Sequence, residues 1–228
     1  MKIYVLNVDK LNQEVLFQKA YGTVDRFRKE KVDSCKRRED KLRSLGAGLL
    51  LAHGVSEVLK TPWSQLREQI HMEYGMHGKP YLKKWEGISF NLSHSGSYAT
   101  CVISKGETPY VHHRENEVGI DIQKVRTCSL KVAKKVFSHK EYAGLEEVYK
   151  ENERQGDLLF SRLWAEMESR GKLLGTGVFW TEGISEMIFQ KSYAMGEAYW
   201  ISVSSAKENI PEKISLLGAE ELLGSLDA

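Results

Sequence analysis

The order in which apolar patterns follow one another is the feature of this chain that most restricts its fold. Met1–Val8 has the branched, alternating residues of a strand. Basic helical sequence follows, then Lys36–Leu59, where Leu42, Leu45, Leu49, Leu50 and Val55 recur at helical spacing. Gly78-Lys79-Pro80 marks a turn. Ile88–Leu92 and Tyr98–Ser104 read as short strands joined by the polar stretch Ser93–Ser97. The second half repeats that order. Val118–Val125 is a strand, Leu130–Tyr149 a helix, and Asp157–Leu174 a second helix ended by Gly175 and Gly177. Strands follow near Ile184–Gln190 and Ala198–Ser204. The expectation is an α+β fold made by pseudo-twofold duplication of two similar α/β subdomains, residues 1–106 and 107–228. The polar segment Glu107–Glu117, with Pro109, connects them. A groove between the halves is the natural place for a site, because ligand pockets favour such junctions. His112 and His113 in the connection read as exposed and structural, and Glu220–Leu223 as a cap on the fold.

Composition narrows the class. A chain of 228 residues, 41% hydrophobic and 10% aromatic, is long enough for one generous domain or two small ones with a real core. The balance of 33 basic against 31 acidic side chains calls for neither nucleic acid nor a membrane surface. The dense Lys and Arg of Arg26–Arg43 read, on composition alone, as a solvated helix face. Cys35, Cys101 and Cys128 are odd in number and lack CxxC pairing, which argues against a disulfide framework and a zinc site. MKIYVLNV lacks a leader-like apolar region, and no run approaches the roughly 20 apolar residues of a membrane span. The chain is expected to be soluble, reduced and cytoplasmic.

Three segments carry chemistry. In Val118-Gly119-Ile120-Asp121-Ile122-Gln123-Lys124, alternation puts Ile120 and Ile122 on one face with Asp121 and Gln123 on the other. A carboxylate and a carboxamide side by side are oxygen donors that Mg²⁺ accepts, although a solvated edge strand has the same pattern. In Phe160–Lys172, Trp164, Glu168 and Lys172 share one helical face. That gives a carboxylate for metal or proton work with an ammonium one turn on, or simply a surface pair beside a core tryptophan. In Phe90-Asn91-Leu92-Ser93-His94-Ser95-Gly96, hydroxyls, an imidazole and a glycine that lets backbone approach closely suit an anion such as phosphate.

Taken together and in order, these segments resemble the 4′-phosphopantetheinyl transferases of the Sfp type. The resemblance rests on Asn-x-Ser-His-Ser-Gly, Gly-Ile-Asp-Ile and Trp-Ala-x-x-Glu-Ser-x-x-Lys. It extends through Met1–Tyr4, Arg43-Ser44, Tyr74-Gly75, Gly78-Lys79-Pro80 and Phe137-Ser138 before Glu141-Tyr142. It implies a monomeric, magnesium-dependent transferase that moves the phosphopantetheine arm of coenzyme A onto a serine of an apo acyl or peptidyl carrier protein. Such enzymes serve fatty-acid, polyketide or nonribosomal peptide synthesis. By the same resemblance Arg28, Lys31, Arg43, Ser44, Lys79, Ser93 and His94 meet the 3′-phosphate of coenzyme A, which revises the reading of the basic stretch. Asp121 and Glu168 would hold Mg²⁺, with Gln123 as a further oxygen donor. Glu168 is the implied base for the serine hydroxyl, and Lys172 would help the leaving group, adenosine 3′,5′-bisphosphate. Carrier recognition falls to about Thr127–Leu145.

Two positions depart from the family pattern. Gln123 stands where a glutamate is common, and Met167 stands where a lysine precedes the catalytic glutamate. If that lysine steadies the pyrophosphate, its loss slows transfer, unless Gln123 and Met167 are a charge-matched pair or Arg170 replaces the cation. The main rival reading is therefore a degenerate paralogue that binds coenzyme A or carrier without transfer. A nucleotide hydrolase lacks its P-loop here, and a nucleic-acid binder lacks both net charge and an aromatic platform.

Overall fold

The computed structural model describes residues 1–75, 78–85, 87–106, 117–175, 188–207 and 209–227. His112, His113, Gly177, most of the Glu107–Glu117 connection and the start of the strand expected at Ile184 lie outside them.

Strand β1 (Lys2–Asn7) is buried on both faces from Ile3 to Leu6, where the alternation read from the sequence would have buried only one. It pairs antiparallel with β5 (Tyr98–Lys105), which pairs antiparallel with β4 (Ile88–Ser95). Helix α3 (Arg38–Leu59) covers one face of this sheet, and α1 (Glu14–Thr23), α2 (Arg26–Ser34) and α4 (Trp63–Leu66) pack around it. Tyr4, Leu6 and Val8 enter that helical core with Leu45, Leu49 and Phe90. The other face sends Ile3, Val5 and Val102 into a second core, shared with Val118, Ile120, Ile122, Ile201 and Val203.

Those last five residues belong to a second sheet of β6 (Val118–Lys124), β8 (Tyr199–Ser205) and β7 (Phe189–Met195), in the order β6-β8-β7 and antiparallel throughout. Helix α7 (Glu153–Leu174) packs on this sheet, and α5 (Leu130–Val136) and α6 (His139–Glu151) enclose a third apolar cluster with it. The chain ends back on the first sheet. Strand β9 (Ser215–Leu217) adds in parallel to β1, and α8 (Ala219–Asp227), which contains the expected cap Glu220–Leu223, buries Leu222, Leu223 and Leu226 beside α3. The class is α+β, as the patterning indicates.

Two elements differ from expectation for local reasons. Leu130–Tyr149 is two helices, because Phe137 is extended and Ser138 with Glu141 forms a capping box that starts α6 anew. Ser93–Ser95, read as part of a polar connection, continue strand β4. Their hydroxyls have a use there, since Asn91 Oδ1, Ser93 Oγ and Ser95 Oγ accept from the backbone amides of Ile120 (3.2 Å), Ile122 (3.3 Å) and Lys124 (3.1 Å). The true turn is Gly96-Ser97, where Gly96 has φ +54° and a Cβ would fall 2.2 Å from the Tyr199 hydroxyl.

Candidate active site

The site begins with the alternation of β6. Val118, Ile120 and Ile122 enter the core between the sheets, leaving Gly119, Asp121 and Gln123 on the face that meets α7. At Gly119 the helix backbone comes so near that a Cβ would lie 2.1 Å from Ser169 O and 2.5 Å from Leu173 N. Helix α7 divides its sides accordingly. Ser169 is buried on the sheet, where its hydroxyl meets those of Ser202 (3.1 Å) and Ser204 (2.9 Å). Phe160, Leu163 and Met167 enter the cluster under α5 and α6. That leaves Trp164, Glu168 and Lys172 as one half-buried stripe, the spacing read from the sequence.

The stripe meets Asp121. Lys172 Nζ donates to Asp121 Oδ1 at 2.7 Å and to Ser93 Oγ at 3.0 Å, and Ser93 Oγ donates to Asp121 Oδ1 at 2.7 Å. Glu168 has its pKa raised above the ordinary glutamate value, first by burial and then by the Asp121 charge, with Lys172 and Arg126 opposing. Arg126 lies just past β6 with its guanidinium 4.2 Å from the Trp164 ring centroid, so the tryptophan holds a cation near the glutamate.

From the first sheet, His94 sits at the end of β4 with an exposed edge. Partial desolvation, followed by the Arg43 and Lys172 charges, lowers its pKa, so it is neutral at physiological pH. Arg43, on α3, donates to Gly96 O at 3.1 Å and Asp40 Oδ1 at 2.6 Å. Ser44 is buried one residue on. Farther along, Arg28 is 7% exposed, its stem pressed on α3 where Gly48 leaves room. Burial lowers its pKa, and its guanidinium has no hydrogen-bond acceptor among the described residues. Lys31 feels that charge, and its ammonium lies 5.3 Å from the Phe27 ring and 5.9 Å from the Tyr74 ring. A largely buried guanidinium with the Asp25 carboxylate near it and a second cation beside it makes a local arrangement that suits an anion.

The structure places other expected residues elsewhere. Lys79 donates to Glu117, Val118 O (3.2 Å) and Leu173 O (2.9 Å), clamping the turn between β2 (Met72–Tyr74) and β3 (Pro80–Leu82) to the start of β6 and the last turn of α7. Gln123 turns its amide nitrogen to Lys124 O at 2.8 Å. Met167 is 3% exposed and faces away from Asp121. Arg170 is no substitute cation, since it bonds Gln190 Oε1 (3.1 Å) and Glu141 Oε1 (3.3 Å). Met167 therefore joins the apolar cluster under α5 and α6 rather than the face that carries Asp121 and Glu168. A residue next in sequence to Glu168 points about 100° around the helix from it.

A family model described as "4′-phosphopantetheinyl transferase, N-terminal" matches residues 12–106, and one described as "4′-phosphopantetheinyl transferase superfamily" matches residues 117–196. The chain belongs to the Sfp-type 4′-phosphopantetheinyl transferases. It is 27% identical over 241 residues to 4′-phosphopantetheinyl transferase Sfp of Bacillus subtilis, covering 98% of this chain and 100% of that one. It is 28% identical over 206 residues to the psf-1 transferase of Bacillus pumilus, covering 82% of this chain and 81% of the relative. The gsp transferase of Aneurinibacillus migulanus is 30% identical over 141 residues, 62% of this chain and 52% of the relative.

Within this transferase, no cluster of three or more His, Cys, Asp or Glu among the described residues could by itself hold a metal ion. Asp121 and Glu168 are two neighbouring carboxylates with no third among the described residues, a donor set that suits Mg²⁺ when substrate phosphates complete its shell. Sequence reasoning missed Gly119, Glu117 and Arg126. A glycine inside a strand does signal close approach of another backbone, so Gly119 was legible in principle.

Proposed function

We propose that this phosphopantetheinyl transferase takes coenzyme A and an apo acyl or peptidyl carrier protein and releases adenosine 3′,5′-bisphosphate, with Mg²⁺ as cofactor. Arg28 and Lys31, with Arg43, Ser44 and His94 beside them, receive the nucleotide phosphate. The observation that carries the reading is the meeting of Ser93 from the first sheet with Asp121 from the second and Lys172 from α7, beside Glu168. The carrier's serine hydroxyl attacks the phosphorus that bears the pantetheine arm. Its proton passes to Glu168, directly or through water, and the bond to the bridging oxygen of the bisphosphate breaks. Lys172 stands where it can meet the negative charge left on that oxygen. Mg²⁺ held by Asp121 and Glu168 would neutralise charge on the pyrophosphate. Lys79 fits better as a clamp than as a phosphate ligand. Thr127–Leu145, which spans α5 and the start of α6 beside the site, is the carrier-facing region.

The two sheets support an origin by duplication, with halves at residues 1–106 and 107–228. Each runs first strand, third strand, second strand (β1-β5-β4 and β6-β8-β7), all antiparallel, with a long helix between its first two strands. β9 and α8 then return to the first half. Free Cys35, Cys101 and Cys128 fit a monomer of the reducing cytoplasm, and no helix among the described residues is long and apolar enough to cross a membrane. With Met167 facing the core, the ground for a binding-only paralogue is reduced to Gln123.

The test is intact mass spectrometry of an apo carrier incubated with enzyme, coenzyme A and Mg²⁺, beside a metal-free control and Glu168→Gln. One added phosphopantetheine, with both controls silent, is expected. Coenzyme A binding with no added mass would overturn the reading.

A further inference from the structure

Among the described residues strand β6 has a strand neighbour, β8, on one side only. Peptide groups of an antiparallel strand alternate sides, so the amides of Ile120, Ile122 and Lys124 all point away from β8. A buried amide left without an acceptor is destabilising, and an open edge invites pairing with another chain. Here the donors go to side chains of β4, Asn91, Ser93 and Ser95, each acceptor 29 residues before its donor. Side chains on alternate positions of one strand thus replace the backbone carbonyls of a missing neighbour. A slip of one residue would present Leu92 and His94 instead, and a slip of two would move Asp121 by about 7 Å along the strand.

Ser93 has a second task. Its hydroxyl donates to Asp121 Oδ1 and accepts from the amide of Ile122 and from Lys172 Nζ. One donor and two acceptors are all that a hydroxyl has. While Ser93 holds Asp121 it has no proton to give a phosphate. Resting on the transferase reading above, we propose that Asn91, Ser93 and Ser95 are positioning residues that set the register of β6 on β4, and that Ser93 serves Asp121 and Lys172 rather than the 3′-phosphate of coenzyme A. The alternation of β4 separates two tasks: its odd-numbered polar residues dock the second sheet, while His94 between them faces Arg43 and the phosphate side.

The test uses full-length Ser93→Ala, Ser93→Thr and Ser95→Ala with two substrates, coenzyme A and 3′-dephospho-coenzyme A. Steady-state loading of an apo carrier is read alongside amide hydrogen exchange at Ile122 and Lys124. Ser93→Ala is expected to lose about tenfold to a hundredfold in kcat with KM for coenzyme A little changed, since misplacement rather than lost binding is at issue. Its preference for coenzyme A over the dephospho form stays that of the wild type, the Ile122 amide exchanges faster, and Ser93→Thr restores both. A rise in KM for coenzyme A alone, with the dephospho substrate unaffected, would make Ser93 a phosphate ligand and overturn the proposal. Should Ser93→Ala fail to fold, Ser95→Ala decides: faster exchange at Lys124 with reduced kcat supports the register role, and unchanged exchange refutes it. Wild-type protein that loads no carrier would instead sink the transferase reading, while the exchange comparison still judges the seam.

Discussion

Gly119→Ala adds one carbon at the tightest point of the site. The new Cβ would stand 2.1 Å from Ser169 O, 2.5 Å from Leu173 N and 3.0 Å from Leu173 Cα, where real Cβ atoms essentially never come within 3.0 Å. All three atoms belong to the α7 backbone, so no flexible side chain can swing aside and the helix itself has to retreat by about 1 Å. Glu168 and Lys172 travel with it. The 2.7 Å bond from Lys172 to Asp121 would open to about 3.7 Å, outside charge-assisted hydrogen-bonding range. Overpacking of this kind costs about 1–3 kcal/mol of stability, and a 1 Å displacement of catalytic groups costs about a hundredfold in rate. The assay is the initial rate of apo-carrier loading by intact mass, taken where urea titration shows the variant fully folded. A folded variant within about twofold of the wild-type rate would refute the claim that this contact sets the site.

Four further outcomes are expected. Glu168 must be ionised to take a proton, and burial with the Asp121 charge raises its pKa, so activity should fall with decreasing pH above the ordinary glutamate range. In a pH–rate profile Arg126→Ala should move that limb to still higher pH, because Arg126 stabilises the ionised form; a downward shift would contradict the arrangement. Met167→Lys puts an ammonium among Phe137, Leu145, Phe160 and Leu163, so urea unfolding should show a loss on the order of 3 kcal/mol and loading no gain in rate. Lys79→Met leaves Glu117 and two carbonyls without their cation, and thermal unfolding should report a loss of about 2 kcal/mol; unchanged stability would deny the clamp.

Much of this was legible in the sequence, and the exceptions share a cause. The core of β1, the long helices α3 and α7, and the stripe Trp164-Glu168-Lys172 follow from apolar period alone. Asp121 opposite Ile120 and Ile122 follows from strand alternation. What the sequence concealed depends on contacts between distant segments. Ser93–Ser95 look like a polar loop because the donors that make use of them lie 29 residues on. Met167 looks like a lost phosphate ligand because adjacency along a chain is not adjacency on a helix. Lys79 looks like one more phosphate ligand in a turn, and only the fold shows Glu117 and the end of α7 closing around it.

The distribution of charge explains why the seam carries the chemistry. The first half supplies the cations Arg28, Lys31 and Arg43, the last held by Asp40, groups that suit an anion but cannot accept a proton. The second supplies Asp121 and Glu168, which can accept a proton or hold a metal but repel a phosphate. Neither set transfers a phosphoryl group alone, because the reaction needs both within one substrate's length. Local rules are broken where the two sets meet: a glycine sits in a buried strand, and polar side chains occupy the inner face of another. Such conflicts persist where function requires them. Substitutions at Gly119, Asn91, Ser93 and Ser95 touch no substrate atom, yet they should register as losses in kcat more than as losses in binding, because what they set is the distance between the two halves of the site.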